Sequence, residues 1–154
     1  MSEVFKIGIT KSNDQSIKEV KQISLLAGKG ILGDLHFHEY NDARKQLTLI
    51  ESENIDYYNK NFNLNIPYLS FRRNIITKGI QLNDSVGKKL LIGKVELKGI
   101  DLCRPCKNLQ EILRQNNIIK EFLRKGGLRC EILNNGIINA IKLHKNKGKS
   151  SVKL

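Results

Sequence analysis

Two cysteines three positions apart, Cys103 and Cys106 in LCRPCKNL, carry the most reactive chemistry in this sequence. A thiolate attacks sulfur and binds soft metals, and nearby cations or a helix N-terminus stabilise it by holding positive charge against the anion. Cys106 has Lys107 beside it and Arg104 two residues before it. Leu109, Ile112 and Leu113 then fall on one face of a helix, so the helix is expected to begin at or just after Cys106. Pro105 suits the first turn of that helix, where its missing N–H would have had no partner.

Three other readings of the thiols stay open. A redox pair would close to a disulfide, but that motif opens a helix after a βαβ-type strand, and the flanks here read as antiparallel. A zinc site needs four ligands, so Cys130 and one histidine would have to complete it in the absence of a second CxxC. Buried thiols acting as small apolar side chains fit Cys130 best, since it lies between apolar neighbours in an expected strand. Elsewhere, Asp34, His36 and His38 alternate and would share one side of an extended segment, as metal ligands sometimes do; a polar loop with solvent-facing histidines accounts for them as well. The glycines of GKGILGD lack the spacing of a phosphate or dinucleotide loop, which excludes nucleotide binding there.

The elements that position the cysteines are mostly short strands. Phe5, Ile7 and Ile9 alternate with polar or small residues, a half-buried strand, and Ile17–Leu26 reads as a second. Ser12–Ser16 between them is a polar turn. Gln46–Ile50 is a strand, Glu51–Lys60 a helix with Ser52 near its start, and Asn61–Pro67 a loop. Ile75 and Ile76, Leu90–Ile92 and Val95–Leu97 are runs punctuated by glycines, in the manner of antiparallel strands in a barrel or sandwich. A second helical segment around Ile118–Leu123 ends at Gly126-Gly127. Arg129–Leu133 and Ile137–Leu143 then read as closing strands across an Asn134-Asn135-Gly136 turn.

A chain of 154 residues is the size of one domain, expected over 1–144, with a basic, disordered tail over 145–154. With no Trp, five Phe and four Tyr, the core must be aliphatic. The net charge of +12 is spread along the chain without interleaved aromatics, which argues against a nucleic-acid partner while leaving an attraction for small anions. No stretch reaches the roughly 20 apolar residues of a membrane span, and three unpaired-looking cysteines suit a reducing compartment, so the expected location is the cytoplasm.

Taken in order, FRRNIITKGIQL, GKKLLIG, LCRPCKNL and GGLR followed by a strand and an Asn-Gly turn resemble the MOSC domain, named after the C-terminal domain of molybdenum cofactor sulfurases. GILGD and RKQLTLI fit too, extending the resemblance over roughly Phe5 to Leu143. It implies a mainly β fold with a few helices: a bent, partly open β-barrel. It also implies a cysteine, matched by Cys106, that carries sulfur as a persulfide or approaches molybdenum as a ligand. Cys103 matches the subgroup with paired cysteines and would protect or resolve a persulfide on Cys106. Arg73 and Asn74 fall on a family motif where a guanidinium would hold an anion such as the phosphate of molybdopterin, with Arg104, Lys107 and Arg129 as further cofactor-binding candidates. Where the family commonly ends its last hairpin in Gly-Asp, this chain has Asn139-Ala140, which puts any role of that acid in doubt. The resemblance takes in neither the pyridoxal-phosphate desulfurase domain of the large sulfurases nor the extra N-terminal domain of the amidoxime-reducing relatives. Sulfur or cofactor would then come from elsewhere, with a cysteine desulfurase or a molybdenum enzyme as partner. The leading expectation is sulfur transfer; the alternatives are a molybdenum-cofactor-binding reductase of N-hydroxylated compounds and a non-catalytic module binding an acidic partner.

Overall fold

The structure, a computed structural model, describes residues 2–11 and 16–141, so the tail over 145–154 and most of the Ser12–Ser16 turn lie outside the described residues. Among those described, strands β1 (Glu3–Thr10), β2 (Ile17–Val20), β5 (Leu47–Glu51), β6 (Ile75–Lys78), β7 (Lys89–Ile92), β8 (Val95–Leu102) and β9 (Leu128–Ile132) form one sheet in the order β2-β1-β6-β5-β9-β8-β7. A smaller sheet holds β3 (Gln22–Leu26) between β4 (Gly30–Ile31) and β10 (Gly136–Asn139). Every strand pairing is antiparallel except that of β5 with β6, whose crossover is helix α1 (Ser52–Phe62). The fold is mainly β with three helices, as expected; the larger sheet ends in open edges at β2 and β7, and no closed barrel forms among the described residues.

Residue alternation on the middle strands explains the layering. Leu47, Leu49 and Ile75 point into a cluster shared with Ile23, Leu25, Ile31 and Ile138 of the small sheet. Ile50 and Ile76, one step on, point the other way into a second cluster with Ile55 and Tyr58 of α1, Phe71, Leu109, Leu113, Ile118 and Phe122. A strand covered on both faces needs apolar side chains at successive positions, which is why LTLI and II read as unbroken apolar runs. Helices α2 (Lys107–Leu113) and α3 (Ile118–Glu121) belong to this second layer.

Four sequence expectations are corrected. Ile17–Leu26 is two strands in two different sheets, because the chain changes partner at Lys21: β2 pairs with β1, whereas β3 pairs with β10 and β4. The Asn134-Asn135-Gly136 turn joins no hairpin. Asn134 accepts from Glu96 N at 2.8 Å and Asn135 accepts from Ala27 N at 2.8 Å, so the asparagines anchor the chain to the start of β8 and to the turn after β3 and carry it across to the small sheet. Helix α1 runs to Phe62, two residues past the expected end, and closes on a left-handed Asn63. The closing strand is Gly136–Asn139, and the part of the expected strand beyond residue 141 lies outside the described residues.

This topology sets up one row of side chains. Because β5 and β6 are parallel, their N-terminal ends lie together, and Asn74 just before β6 bonds Thr48 on β5. Thr48 sits opposite Arg129 on β9, which sits opposite Asp101 on β8. Four segments far apart in sequence thus converge at one end of the sheet. Gly126 and Gly127 make that convergence possible: a Cβ at Gly127, where φ is +107°, would stand 2.1 Å from Leu49 O, and one at Gly126 would stand 2.7 Å from Cys103 O. Only glycine admits both the dihedral and the approach.

Candidate functional site

Arg73 is the hub of the site. A 3-10 turn over Tyr68–Phe71 closes on Arg72 with φ +63°, and this left-handed residue turns the chain so that Arg73 reaches inward. The Arg73 guanidinium donates from Nε to Gly126 O at 2.9 Å and from Nη1 to Phe71 O at 3.2 Å. It also bonds the thiol of Cys103, which is only 3% exposed. Burial pushes the Cys103 thiol above its ordinary pKa; Arg73 and Arg129 pull against this, and Asp101 adds to it. Cys103 is therefore a protonated, buried thiol at rest. Cys130, fully buried in β9, is pushed up to about 12, first by burial and then by the proximity of Cys103.

One side of Arg73 opens into a cavity of about 470 Å³ lined by His36, Arg44, Lys45, Leu47, Thr48, Arg72, Arg73, Asn74 and Arg129. Five of these are permanent cations, and no carboxylate among the described residues lines the cavity. Arg44 spans to Asp101 Oδ2 at 2.9 Å on the exposed rim. Asn74 borders the cavity, but its amide is occupied: Oδ1 accepts from Thr48 N at 3.2 Å, and Nδ2 donates to Gly8 O at 3.1 Å. It splices β1 to β5 and so fixes where Arg73 starts. A cavity with this lining suits a small, multiply charged anion, since arginine presents a planar fork of donors that matches phosphate oxygens.

A second cavity of about 470 Å³ lies on the far side of Cys103, lined by Asp101, Leu102, Cys103, Arg104, Pro105, Ile119, Leu123 and Arg124. Cys106 and Lys107 line neither cavity. Cys106 is exposed and stands at the N-cap of α2, with its carbonyl accepting from Gln110 N at 3.2 Å. Pro105 precedes that cap, so it lies outside the helix rather than in its first turn. The expected site residues therefore separate into three places. Arg73, Asn74 and Arg129 meet at the cationic cavity, Cys103 and Arg104 at the second cavity, and Cys106 with Lys107 on the adjoining surface.

Sequence reasoning missed His36, Arg44, Lys45, Arg72 and Thr48 as members of the site. The signal for Arg44 and Lys45 was their place immediately before a buried strand, but only the register of β5 with β9 brings them to Arg129. No group of three or more His, Cys, Asp or Glu among the described residues is arranged to hold a metal, which removes support for the zinc reading and for Asp34, His36 and His38 as a ligand set.

The sequence pattern of the MOSC domain matches residues 32–140, a span that contains both cavities' arginines and all three cysteines. The chain belongs to the MOSC domain family. This is the family of the molybdenum cofactor sulfurase C-terminal domain and its relatives. Solved structures share the fold. The YuaD protein of Bacillus subtilis superposes with a TM-score of 0.76 at 16% identity, over 91% of this chain and 92% of that one. YiiM of Geobacillus stearothermophilus gives 0.70 at 14% identity, over 90% and 71%. YiiM of Escherichia coli gives 0.64 at 16% identity, over 94% and 70%. No curated protein sequence matches. The family is linked to the molybdenum cofactor, whose pterin would hold the metal through two sulfurs at one end and carries a phosphate at the other. The arginine-lined cavity fits the phosphate end, while the metal would have to bring most of its own ligands and take at most a thiolate from this chain.

Proposed function

We propose that this MOSC domain is a sulfur carrier in which Cys106 accepts a sulfane sulfur and presents it to an anionic acceptor held at the arginine-lined cavity. The observation that carries this reading is the division of labour between the thiols. Cys106 is exposed, where the persulfide of another protein can reach it, and Cys103, three residues away, is buried against Arg73, the side chain that lines the arginine-rich cavity. In the loading step the Cys106 thiolate attacks the outer sulfur of a donor persulfide; the S–S bond of the donor breaks, its thiolate leaves, and Cys106 becomes the persulfide. A cysteine desulfurase is the donor class this chemistry asks for. The test is the intact mass of the protein after incubation with a cysteine desulfurase and free cysteine, for wild type, Cys106→Ser and Cys103→Ser. One added sulfur that persists in Cys103→Ser and disappears in Cys106→Ser is the expected result. No addition in any form, with Cys106 still open to alkylation, overturns it.

A second reading is favoured by the cavity itself. Its size and permanent charge suit a phosphate-bearing pterin, and with one thiolate ligand the chain would then serve a molybdenum-dependent reductase of N-hydroxylated compounds. Molybdenum retained on purification, with visible absorbance that depends on a cysteine of the CRPC loop, selects this reading. If Cys106→Ser changes neither sulfur loading nor metal content, both readings give way to a binding module for an acidic partner.

A further inference from the structure

One ionisable group lining the cationic cavity is not a permanent cation and is not explained by the sulfur chemistry. His36 lies on the loop after β4 and contributes to the cavity wall, with its Nδ1 turned 3.6 Å from Oδ2 of Asp34. Asp34 is 8% exposed, a buried carboxylate held by two backbone donors: Thr10 N to Oδ1 at 2.9 Å and His36 N to Oδ2 at 3.1 Å. Anchored at both oxygens, this carboxylate cannot swing away, and it stands within ion-pair range of Nδ1 though beyond hydrogen-bond length. A ring whose Nδ1 faces a carboxylate keeps Nε2 for a second partner.

We propose that His36, steered by Asp34, is a proton-gated member of the anion site: it engages a doubly charged tetrahedral anion as imidazolium, so that the anion and a proton enter the cavity together. This rests on the reading of the cavity as an anion site and names how that site chooses its ligand. The charges facing His36 make the coupling strong in both directions. Arg72 and Lys45 act on the ring directly, and Arg44, Arg73 and Arg129 line the same cavity; all five oppose a further positive charge there. Asp34 favours it, and the balance already raises the pKa of His36 above its ordinary 6.5, with the facing Asp34 carboxylate as the largest cause and burial working against it. A bound dianion offsets the opposing cations and shifts the balance further toward the protonated ring. By linkage, protonation of the ring must tighten the anion to the same degree. A monoanion offsets less of that repulsion, so the cavity discriminates by ligand charge and not only by shape.

Sulfate is the probe, because it is a tetrahedral dianion with no proton of its own to exchange near neutrality. The imidazole resonances of the protein are followed by NMR across pH 5 to 9 at constant ionic strength, without and with sulfate, and His36 is assigned by its loss in His36→Gln. The expected result is a rise in the His36 pKa on sulfate binding, matched by weakening of sulfate with rising pH that approaches tenfold per pH unit at its steepest. In His36→Gln, sulfate still binds, but with affinity that no longer follows pH in this range. Because His36 is two-thirds exposed, this variant is expected to keep the fold, which its unaltered backbone spectrum verifies. Sulfate shifts at Arg73 and Arg129 with an unmoved His36 pKa overturn the inference and leave the cavity reading standing. No response at any cavity resonance overturns both.

Discussion

At the scale of single residues, environment rather than sequence distance separates the three thiols. Cys103 and Cys106 look equivalent in CRPC, with arginine and lysine at hand for either, and spacing favours Cys106 as the reactive one. The structure leaves Cys106 exposed but assigns the arginine contacts to Cys103, because Arg73 arrives from 30 residues earlier in the chain, which no local pattern reveals. A direct consequence is graded reactivity. At pH 7.5 iodoacetamide should modify Cys106 first, Cys103 much more slowly, and Cys130 only on unfolding, since the last two must leave a buried, protonated state before they can attack. Peptide mass mapping over a time course checks the order. Equal rates for Cys103 and Cys106 would mean that the CRPC loop opens freely, and the division between a carrier thiol and a wall thiol would lose its basis. Asn74 teaches the complementary lesson: its motif position pointed to ligand binding, yet its amide is occupied by Gly8 and Thr48.

At the scale of elements, what was legible followed from periodicity. The alternating β1, the strand ahead of α1 and the helix after Cys106 all stand close to where their apolar spacing puts them. What was not legible is pairing. β8 and β9 are neighbours although α2 and α3 lie between them, and β5 and β9 are neighbours across some 80 residues, so the row of Asn74, Thr48, Arg129 and Asp101 exists only in the folded sheet. The Gly126-Gly127 pair is the junction on which that row depends, which a pair of substitutions can test. Gly127→Ala would force a Cβ against Leu49 O in a left-handed backbone and should cost about 3 kcal/mol or more, with partial loss of the β5–β9 register. Gly93→Ala, in the turn between β7 and β8 at φ +59° with open space around it, should cost only about 1 kcal/mol. Urea unfolding of the two variants gives the comparison. Similar losses would show that dihedral strain alone matters and that the close approach to β5 relaxes without effect.

At the scale of the whole molecule, three ionisable groups in or near its two layers tie stability to pH with opposing signs. Asp34 is held below its ordinary 3.8: burial raises it, but the hydrogen bonds from His36 and Thr10 outweigh that. Its contribution is therefore present above 3.8 and lost as pH falls through its folded value. Glu51, 7% exposed at the start of α1, is raised above its ordinary 4.5, chiefly by burial, although Leu82 N donates to it at 3.1 Å. Its ionisation thus weakens the fold, by a cost absent below 4.5 and fully present above its folded value. His36 is raised above 6.5, so its pairing with Asp34 stabilises below 6.5 and fades as pH climbs through the folded value. These three groups together favour a maximum between pH 3.8 and 4.5, with a first decline as Glu51 ionises and a second as His36 loses its proton, on the acid side of neutrality despite the +12 net charge that acidification enlarges. Thermal unfolding of wild type and Glu51→Gln from pH 3 to 8 isolates the largest buried carboxylate. The variant should gain on wild type steadily as pH rises from 4.5, because only wild type then has to hold a charge between the central sheet and α1. A difference between the two that does not change with pH would mean that Glu51 ionises without cost, and that water reaches the carboxylate where the packing of α1 against the sheet should exclude it.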